Sequence, residues 1–555
     1  MYSFTPKFVT TMREGYKFSL FKSDTVAGLT VAIVALPLSM ALAIASGASP
    51  DKGLVTAVVA GFLISFLGGS RVQVGGPTGA FVVVVFNVIA QHGYDGLLTA
   101  TFMAGLILIA AGAFKIGRLI KFIPHPVVTG FTAGIAVIIA TSQVKDFLGL
   151  SLDNIPAEFL PKWQAYFGAM SSAHVATLLV GLGALGVIVA LRRFAPKLPG
   201  FLIAIVMASL VVALLQLPVE TIGSRFPDMP AGLPVPSLPA LSWARIAELL
   251  PSAFTIAFLA GIEALLSAVV ADGMTGTRHR SNQELIGQGI ANLGSVLFGG
   301  LPATGAIART ATNIKAGGKT PVAGMMHALF LLLFILLAAD LMAYVPMAAL
   351  AAILFVVAWG MSEFDRFVAL LRMPNGDRVI LLLTFGLTIF VDLTVAIGVG
   401  VTLASLLFMA RMSETVQLEN GQSPDRDAAS AEEDPGQRDD LPKGVEVFRI
   451  SGPVFFGVAG ELLDAMRKIG RTPEVVILRM RLVPMLDASG VTMIEEFIGQ
   501  ARLSGARVIL SGVQRQPRQM LARIGLSGDR QGVFFEIDYP AALQRARQLT
   551  MTAME

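Results

Sequence analysis

The chain carries 555 residues, 54% of them hydrophobic and only 14% charged, with a formal net charge of +4 and a mean hydropathy of +0.71. A soluble protein of this size has about a quarter charged residues, so the composition excludes an ordinary soluble globule and points to a polytopic membrane protein. With no cysteine in the chain, disulfides, thiol catalysis and thiolate metal sites are excluded as well.

Residues 1–24 are mixed polar, aromatic and basic, without a signal-peptide apolar region, and read as a cytoplasmic N-terminal arm. From 25 to 411 apolar runs alternate with short polar breaks. A span needs ~20 apolar residues to cross ~30 Å of hydrocarbon. The runs predict about fourteen spans, near 25–46, 52–68, 77–90, 97–114, 126–143, 174–191, 199–217, 249–271, 283–298, 305–315, 320–339, 346–361, 377–391 and 394–411, the third and tenth too short to cross as full helices. Connections after even-numbered spans hold fourteen Lys or Arg, against five after odd-numbered ones (Lys52, Lys145, Lys162, Arg225, Arg245). Positive charge marks the cytoplasmic side, so both termini are expected there, in a bacterial inner membrane. His92, His125, His174, His279 and His327 are scattered and form no ligand pair.

Residues 412–440 are acidic and rich in Ser, Gly and Pro, with no apolar periodicity, and read as a disordered linker. Over 441–555 strand-like runs ("VEVFRISGPVFF", "EVVILRMRLV", "ARVILSGV") alternate with helix-like ones ("GVAGELLDAMRKIG", "SGVTMIEEFIGQARLSG", "PRQMLARIGL"). That alternation predicts one small cytoplasmic α/β domain with a mainly parallel sheet.

The two short spans share a pattern. "GLVTAVVAGFLISFLGG" precedes the first and "ELIGQGIANLGSVLFGG" the second. Each is followed by a proline (Pro77, Pro302) and a Thr-Gly-Ala triplet, Thr78-Gly79-Ala80 and Thr304-Gly305-Ala306. Seven spans separate them, an odd number, so the units are expected to form an inverted repeat. Interrupted spans at matching places in two halves point to a transporter's substrate site. A helix that starts mid-membrane leaves its first N–H groups open and aims its positive dipole end at the same spot. Two such starts facing one another suit an anion, with Thr78 and Thr304 as further hydroxyl donors. The plainer alternative is tight helix packing at the glycines.

Arg309 is the one Lys or Arg of the membrane region outside a connection, and an intramembrane charge marks a functional site by default; the alternative is a structural ion pair with a carboxylate. Glu263, midway along the eighth span, is the acidic residue deepest in an apolar run and the candidate site of proton or cation coupling. Asp340 and Asp392 read as structural, Asp392 as the N-cap of the fourteenth span, and 279–285 as the cap of the ninth.

These motifs together, "PLSMALAIASG" (37–47), "GGPTGAF" (75–81), "IEALLSAVVADGMTGTRHRSNQELIGQGIANL" (262–293), "GGLPATGAIARTATNIKAGGKTP" (299–321) and "MLDASGV" (485–491), resemble the sulfate permease anion transporters, which also form solute carrier family 26. Within that family the chain looks most like bacterial importers of C4-dicarboxylates such as succinate, fumarate and aspartate. The resemblance implies a seven-plus-seven inverted repeat, with spans 1–4 and 8–11 as core and 5–7 and 12–14 as gate. It further implies elevator-like movement of core against gate, and a homodimer. It places the anion at Pro77, Thr78, Gly79 and Ala80 on one side and Gly305, Ala306, Ala308 and Arg309 on the other. Glu263 matches a coupling position. Sodium-coupled bicarbonate members carry Asp there, Thr at the position of Ile307 and no arginine at Arg309, so a proton is expected in preference to sodium. The soluble domain resembles STAS domains, in which Ser489, beside Asp487, matches a phosphorylated serine; Ser489 is equally placed to N-cap the helix after it. A protein partner for this domain is expected.

Secondary active transport of a small anion, by proton-coupled uptake of C4-dicarboxylates, is thus the leading expectation. Sulfate or bicarbonate transport or exchange, an anion sensor signalling through the soluble domain, and a passive channel are the alternatives. No nucleophile–base pair, metal cluster or phosphate loop points to an enzyme, and no cofactor or nucleic-acid partner is expected.

Overall fold

A computed structural model describes residues 4–118, 124–152, 155–156, 158–196, 198–227, 232–414, 417–420, 441–455, 473–526 and 532–551. They form two compact units, Met1–Ala404 and Ser405–Glu555.

The first unit is helical. In chain order it holds α1 (Lys7–Arg13), α2 (Phe18–Ala45), α3 (Pro50–Leu67), β1 (Gly75–Gly76), α4 (Gly79–Ala113), α5 (His125–Leu148), α6 (Phe159–Gly168), α7 (Val175–Phe194), α8 (Gly200–Leu215) and α9 (Ile222–Arg225). There follow α10 (Trp243–Thr275), α11 (Ser281–Leu297), β2 (Thr304–Gly305), α12 (Ile307–Lys315), α13 (Pro321–Met342), α14 (Met347–Met361), α15 (Phe364–Leu371), α16 (Asn375–Phe390) and α17 (Leu393–Glu414), which runs past the end of the unit at Ala404. Each apolar run of the sequence is helical. Among the described residues nine helical stretches are long and apolar enough to cross a membrane alone. The third and fourth runs are one element, α4, broken at Gly93, whose φ of 71° takes it out of the helix. Only glycine enters that backbone region without strain. The short helices α6 and α15 have no apolar run long enough to announce them.

Packing divides these helices into two groups. α2, α3, α4, α10, α11 and α13 lie against one another with α12 held between α2 and α10, while α5 packs on α14 and α16, and α7 on α8 and α14. Hydrocarbon offers no hydrophobic drive for helix association, so close backbone approach at small residues takes its place. Gly105 of α4 and Gly289 of α11 show this: a Cβ on either would stand 2.9 and 2.5 Å from the other's carbonyl oxygen.

The non-helical stretches between α3 and α4 and between α11 and α12 cross each other as an antiparallel pair, Gly75 opposite Gly305 and Gly76 opposite Thr304. Irregular backbone at membrane depth is tolerated only when its polar groups find protein partners. Here Asn292 bonds both the N–H and the C=O of Ala303, at 2.8 and 2.9 Å. Thr56 accepts from Leu301 N at 2.6 Å, and Ser295 donates to Leu301 O at 2.7 Å. On the other stretch Thr310 accepts from Val74 N at 3.1 Å, and Asn313 donates to Val72 O at 2.8 Å. The polar residues inside these apolar helices therefore serve the broken backbone.

The second unit contains β3 (Gln417–Asn420), β4 (Val445–Ser451), β5 (Val475–Leu482), α18 (Ala488–Leu503), β6 (Arg507–Ser511), α19 (Arg515–Arg523), β7 (Val533–Glu536) and α20 (Tyr539–Met551). The sheet runs β3-β4-β5-β6-β7 and is parallel except for β3. β3 corrects the reading of 412–440 as a featureless linker: Gln417–Asn420 pairs antiparallel with Phe448–Ser451. Four residues are too few to display an alternation. Residues 421–440 and the expected helix at 457–470 lie outside the described residues.

Candidate functional site

Two helix starts meet at the strand pair. α4 begins at Gly79 with Thr78 as an extended N-cap, and α12 begins at Ile307 after Ala306. At 1.5 Å per residue the nine residues of α12 span ~14 Å, about half the hydrocarbon thickness, so its positive end opens well inside the unit. Neither N-cap side chain bonds its own first turn.

The two Thr-Gly-Ala triplets are matched in sequence and differ in structure. Thr78 holds the N-cap position of a helix, whereas Thr304 lies three residues before one, in β2. Both hydroxyls turn to α10. Thr78 Oγ1 donates to Glu263 Oε2 at 2.7 Å, and Thr304 Oγ1 donates to Ala260 O at 2.8 Å. Ala260 and Glu263 sit one turn apart, so a single face of α10 registers both halves of the repeat. Thr304, fully buried, ties its strand to α10 through this bond.

Arg309 reaches back from α12 across the strand pair. Its Nη2 donates to Pro77 O at 2.9 Å and to Ser39 Oγ of α2 at 3.3 Å. The side chain is 3% exposed, and its Nε and Nη1 have no partner among the described residues. No carboxylate pairs with it among the described residues, so the structural ion pair is not its explanation. Gly76, at φ 149°, passes so close to the guanidinium that a Cβ there would run into Nη1.

Pro77, Gly79, Ala80, Thr304, Gly305 and Arg309 are buried, Thr78, Glu263 and Ala306 are half-buried, and Ile307 and Ala308 are exposed. The start of α4 abuts the second helix group: a Cβ on Gly79 would lie 2.5 Å from Met361 Sδ and 3.2 Å from Ile139 Cδ1. Met361 and Ile139 carried no sequence signal, and Ser39 stood within the motif at 37–47 without an assigned role, since only tertiary packing brings α2, α14 and α5 to this point.

Other polar residues settle differently from the sequence reading. Asp392 Oδ1 accepts from Thr394 N and Val395 N at 2.7 and 3.3 Å, as an N-cap does. The segment 279–285 does not cap α11, whose N-cap, Arg280, makes no side-chain cap bond. Its fully buried Glu284 reaches away instead, and Oε2 accepts from Gly69 N and Ser70 N at 2.7 and 3.0 Å. In the second unit the N-cap of α18 is Asp487, which accepts from Gly490 N at 2.7 Å. Ser489 lies inside the first turn, because the helix starts at Ala488, one residue before it.

The amino-acid sequence matches the model of the "Sulfate permease family" over residues 21–384 and that of the "STAS domain" over 440–534. It is 41% identical over 516 residues to YvdB of Bacillus subtilis, provisionally named a sulfate transporter, spanning 92% of this chain and 95% of the relative. The bicarbonate transporter BicA of Picosynechococcus is 31% identical, with 92% of both chains covered. Among solved structures, the transmembrane domain of a cyanobacterium bicarbonate transporter BicA is 32% identical and matches 70% of this chain and 98% of its own at a TM-score of 0.61. The murine Solute Carrier 26 family member A9 anion transporter, in an inward-facing state, matches 98% of this chain and 94% of its own at a TM-score of 0.85. At 18% identity that likeness is one of fold.

Proposed function

The chain belongs to the sulfate permease family, and we propose that it is a secondary active transporter of a small oxyanion, sulfate or bicarbonate ahead of the C4-dicarboxylates. Two relatives named for sulfate and bicarbonate support that order. The observation that carries the reading is Arg309: a buried guanidinium with two donor nitrogens unpartnered, set between two helix starts. A buried cation without a counter-ion is costly, and an anion between the helix starts would supply one. Pro77, Thr78, Gly79, Ala80, Gly305, Ala306 and Ala308 would enclose it, with backbone amides as donors.

Glu263 is the proposed proton-coupling residue. It touches the anion site through Thr78, so a proton on its carboxyl would alter the hydrogen bonding at the start of α4. Access would alternate as the α2–α4 and α10–α13 group moves against the α5, α7, α8, α14 and α16 group, in a homodimer with both termini cytoplasmic. The STAS domain would dock a protein partner, with Ser489 as its modification site.

Uptake of labelled sulfate, bicarbonate and fumarate into proteoliposomes, with and without an inward proton gradient, tests this. The wild type is expected to take up sulfate or bicarbonate faster with the gradient, and Glu263→Gln to lose most of the stimulation. Arg309→Gln should raise the apparent KM about 10- to 100-fold, the worth of a lost charged hydrogen bond. Fumarate uptake alone would restore the dicarboxylate reading, and anion binding without flux would favour a sensor.

A further inference from the structure

Beside the strand pair, α13 buries His327 completely, and neither ring nitrogen has a partner among the described residues. A buried imidazole almost always bonds through at least one nitrogen, so an orphaned one needs an explanation. We infer that His327 is a second proton-binding group of the transport site, whose proton binds together with the anion held by Arg309. The inference rests on the transport reading above for its purpose, and on the following geometry for its substance.

α13 lies against α3 through small residues. A Cβ on Gly61 of α3 would stand 3.7 Å from His327 Cε1 and 3.8 Å from Nδ1, and 3.1 Å from the carbonyl oxygen of Gly75. Because Gly61 has no side chain, the ring edge and the Gly75 carbonyl face a common bare spot on α3. Gly75 is β1, and its neighbour Gly76 is the residue pressed against Arg309. The imidazole, the strand and the guanidinium are thus consecutive layers. One turn away on α13, Gly324 faces Ser65 and the carbonyl of Gln73.

The charge environment fixes the sign. α2 contributes Lys22 and Asp24, but Asp24 is engaged at the start of α13, accepting from Thr320 N and Oγ1, and Gly28 is what α2 sets against the His327 backbone. α3 carries Asp51 and Lys52 in its first turn, ten and nine residues before Gly61; α1 carries Lys7 and Arg13; α13 itself carries Asp340, and α12 Lys315. The charge next in line to the ring is Arg309, against which Gly76, the neighbour of Gly75, is pressed. With the site empty, a proton on His327 and the guanidinium repel. An anion beside Arg309 cancels that repulsion and attracts both, so proton and anion favour each other's binding, reciprocally. Anion affinity therefore rises as pH falls.

The test uses the full-length protein. Binding of sulfate and bicarbonate is measured by calorimetry at pH 6 and pH 8, in buffers of different ionisation enthalpy, and uptake is followed in proteoliposomes. The wild type is expected to bind several-fold more tightly at pH 6, with net proton uptake, and His327→Gln to bind with a flattened pH dependence. Wild-type pH dependence in a folded His327→Gln overturns the inference, as does absence of proton uptake in the wild type. Should His327→Gln fail to fold, Glu263→Gln decides: proton uptake on binding persists if His327 is its source, and its loss, with or without loss of binding, overturns the proposal. Failure of the transport reading is separate, since it shows as binding without flux in the wild type.

Discussion

Gly76 and Arg309 show how much one missing side chain controls. The guanidinium occupies the volume a Cβ on Gly76 would need, so Gly76→Ala is expected to displace it, raising the anion KM at least ~10-fold while the purified protein stays monodisperse; an unchanged KM would mean that Arg309 is not the anion's partner. Asp24 makes the opposite case of a buried charge fully engaged. It accepts from Lys319 N at 2.8 Å, from Thr320 N at 3.2 Å, from Thr320 Oγ1 at 2.5 Å and from Tyr16 at 3.0 Å. Asp24→Ala leaves those donors buried and unpaired, a loss of about 2–4 kcal/mol that should appear as a lower midpoint of thermal unfolding in detergent. Arg309 and Glu263 were legible in the sequence because a charge within an apolar run is conspicuous. His327 was legible as a letter and not as a site, since a lone histidine shows nothing of its neighbours.

The interrupted helices govern the next scale. Glycine and proline between apolar runs announced the breaks before α4 and α12. That the two breaks pair as strands did not follow, since two-residue strands carry no periodicity. Nor did the partners of the broken backbone: Asn292, Asn313, Thr56 and Ser295 are ordinary polar residues until α3, α11 and α12 assemble around them. Glu284 belongs to this set, tying α11 to the turn after α3. Glu284→Ala, which leaves two buried amides without an acceptor, should destabilise the membrane unit by about 1–3 kcal/mol, read as a shifted melting profile. Glu284→Gln retains an acceptor and should recover part of it.

At the scale of the molecule, two units with separate cores predict two unfolding events. One core is the apolar interior of the helical unit, and the other packs Phe448, Leu478, Ile494 and Phe497 between sheet and helices. Asp487→Ala removes the cap of α18, worth ~1 kcal/mol, and should lower only the second unit's transition, by about 2–6 °C. A shift in both transitions would show that the units melt as one. By itself the sequence determined the membrane class, the succession of apolar helices, the two breaks and the attached α/β domain, because hydropathy, glycine, proline and period are local properties. Only the tertiary structure decided that Thr304 bonds α10, that Arg309 meets no counter-charge among the described residues and that His327 lies one strand behind it. Those are relations between residues far apart in the chain, fixed by which helix faces the fold brings together.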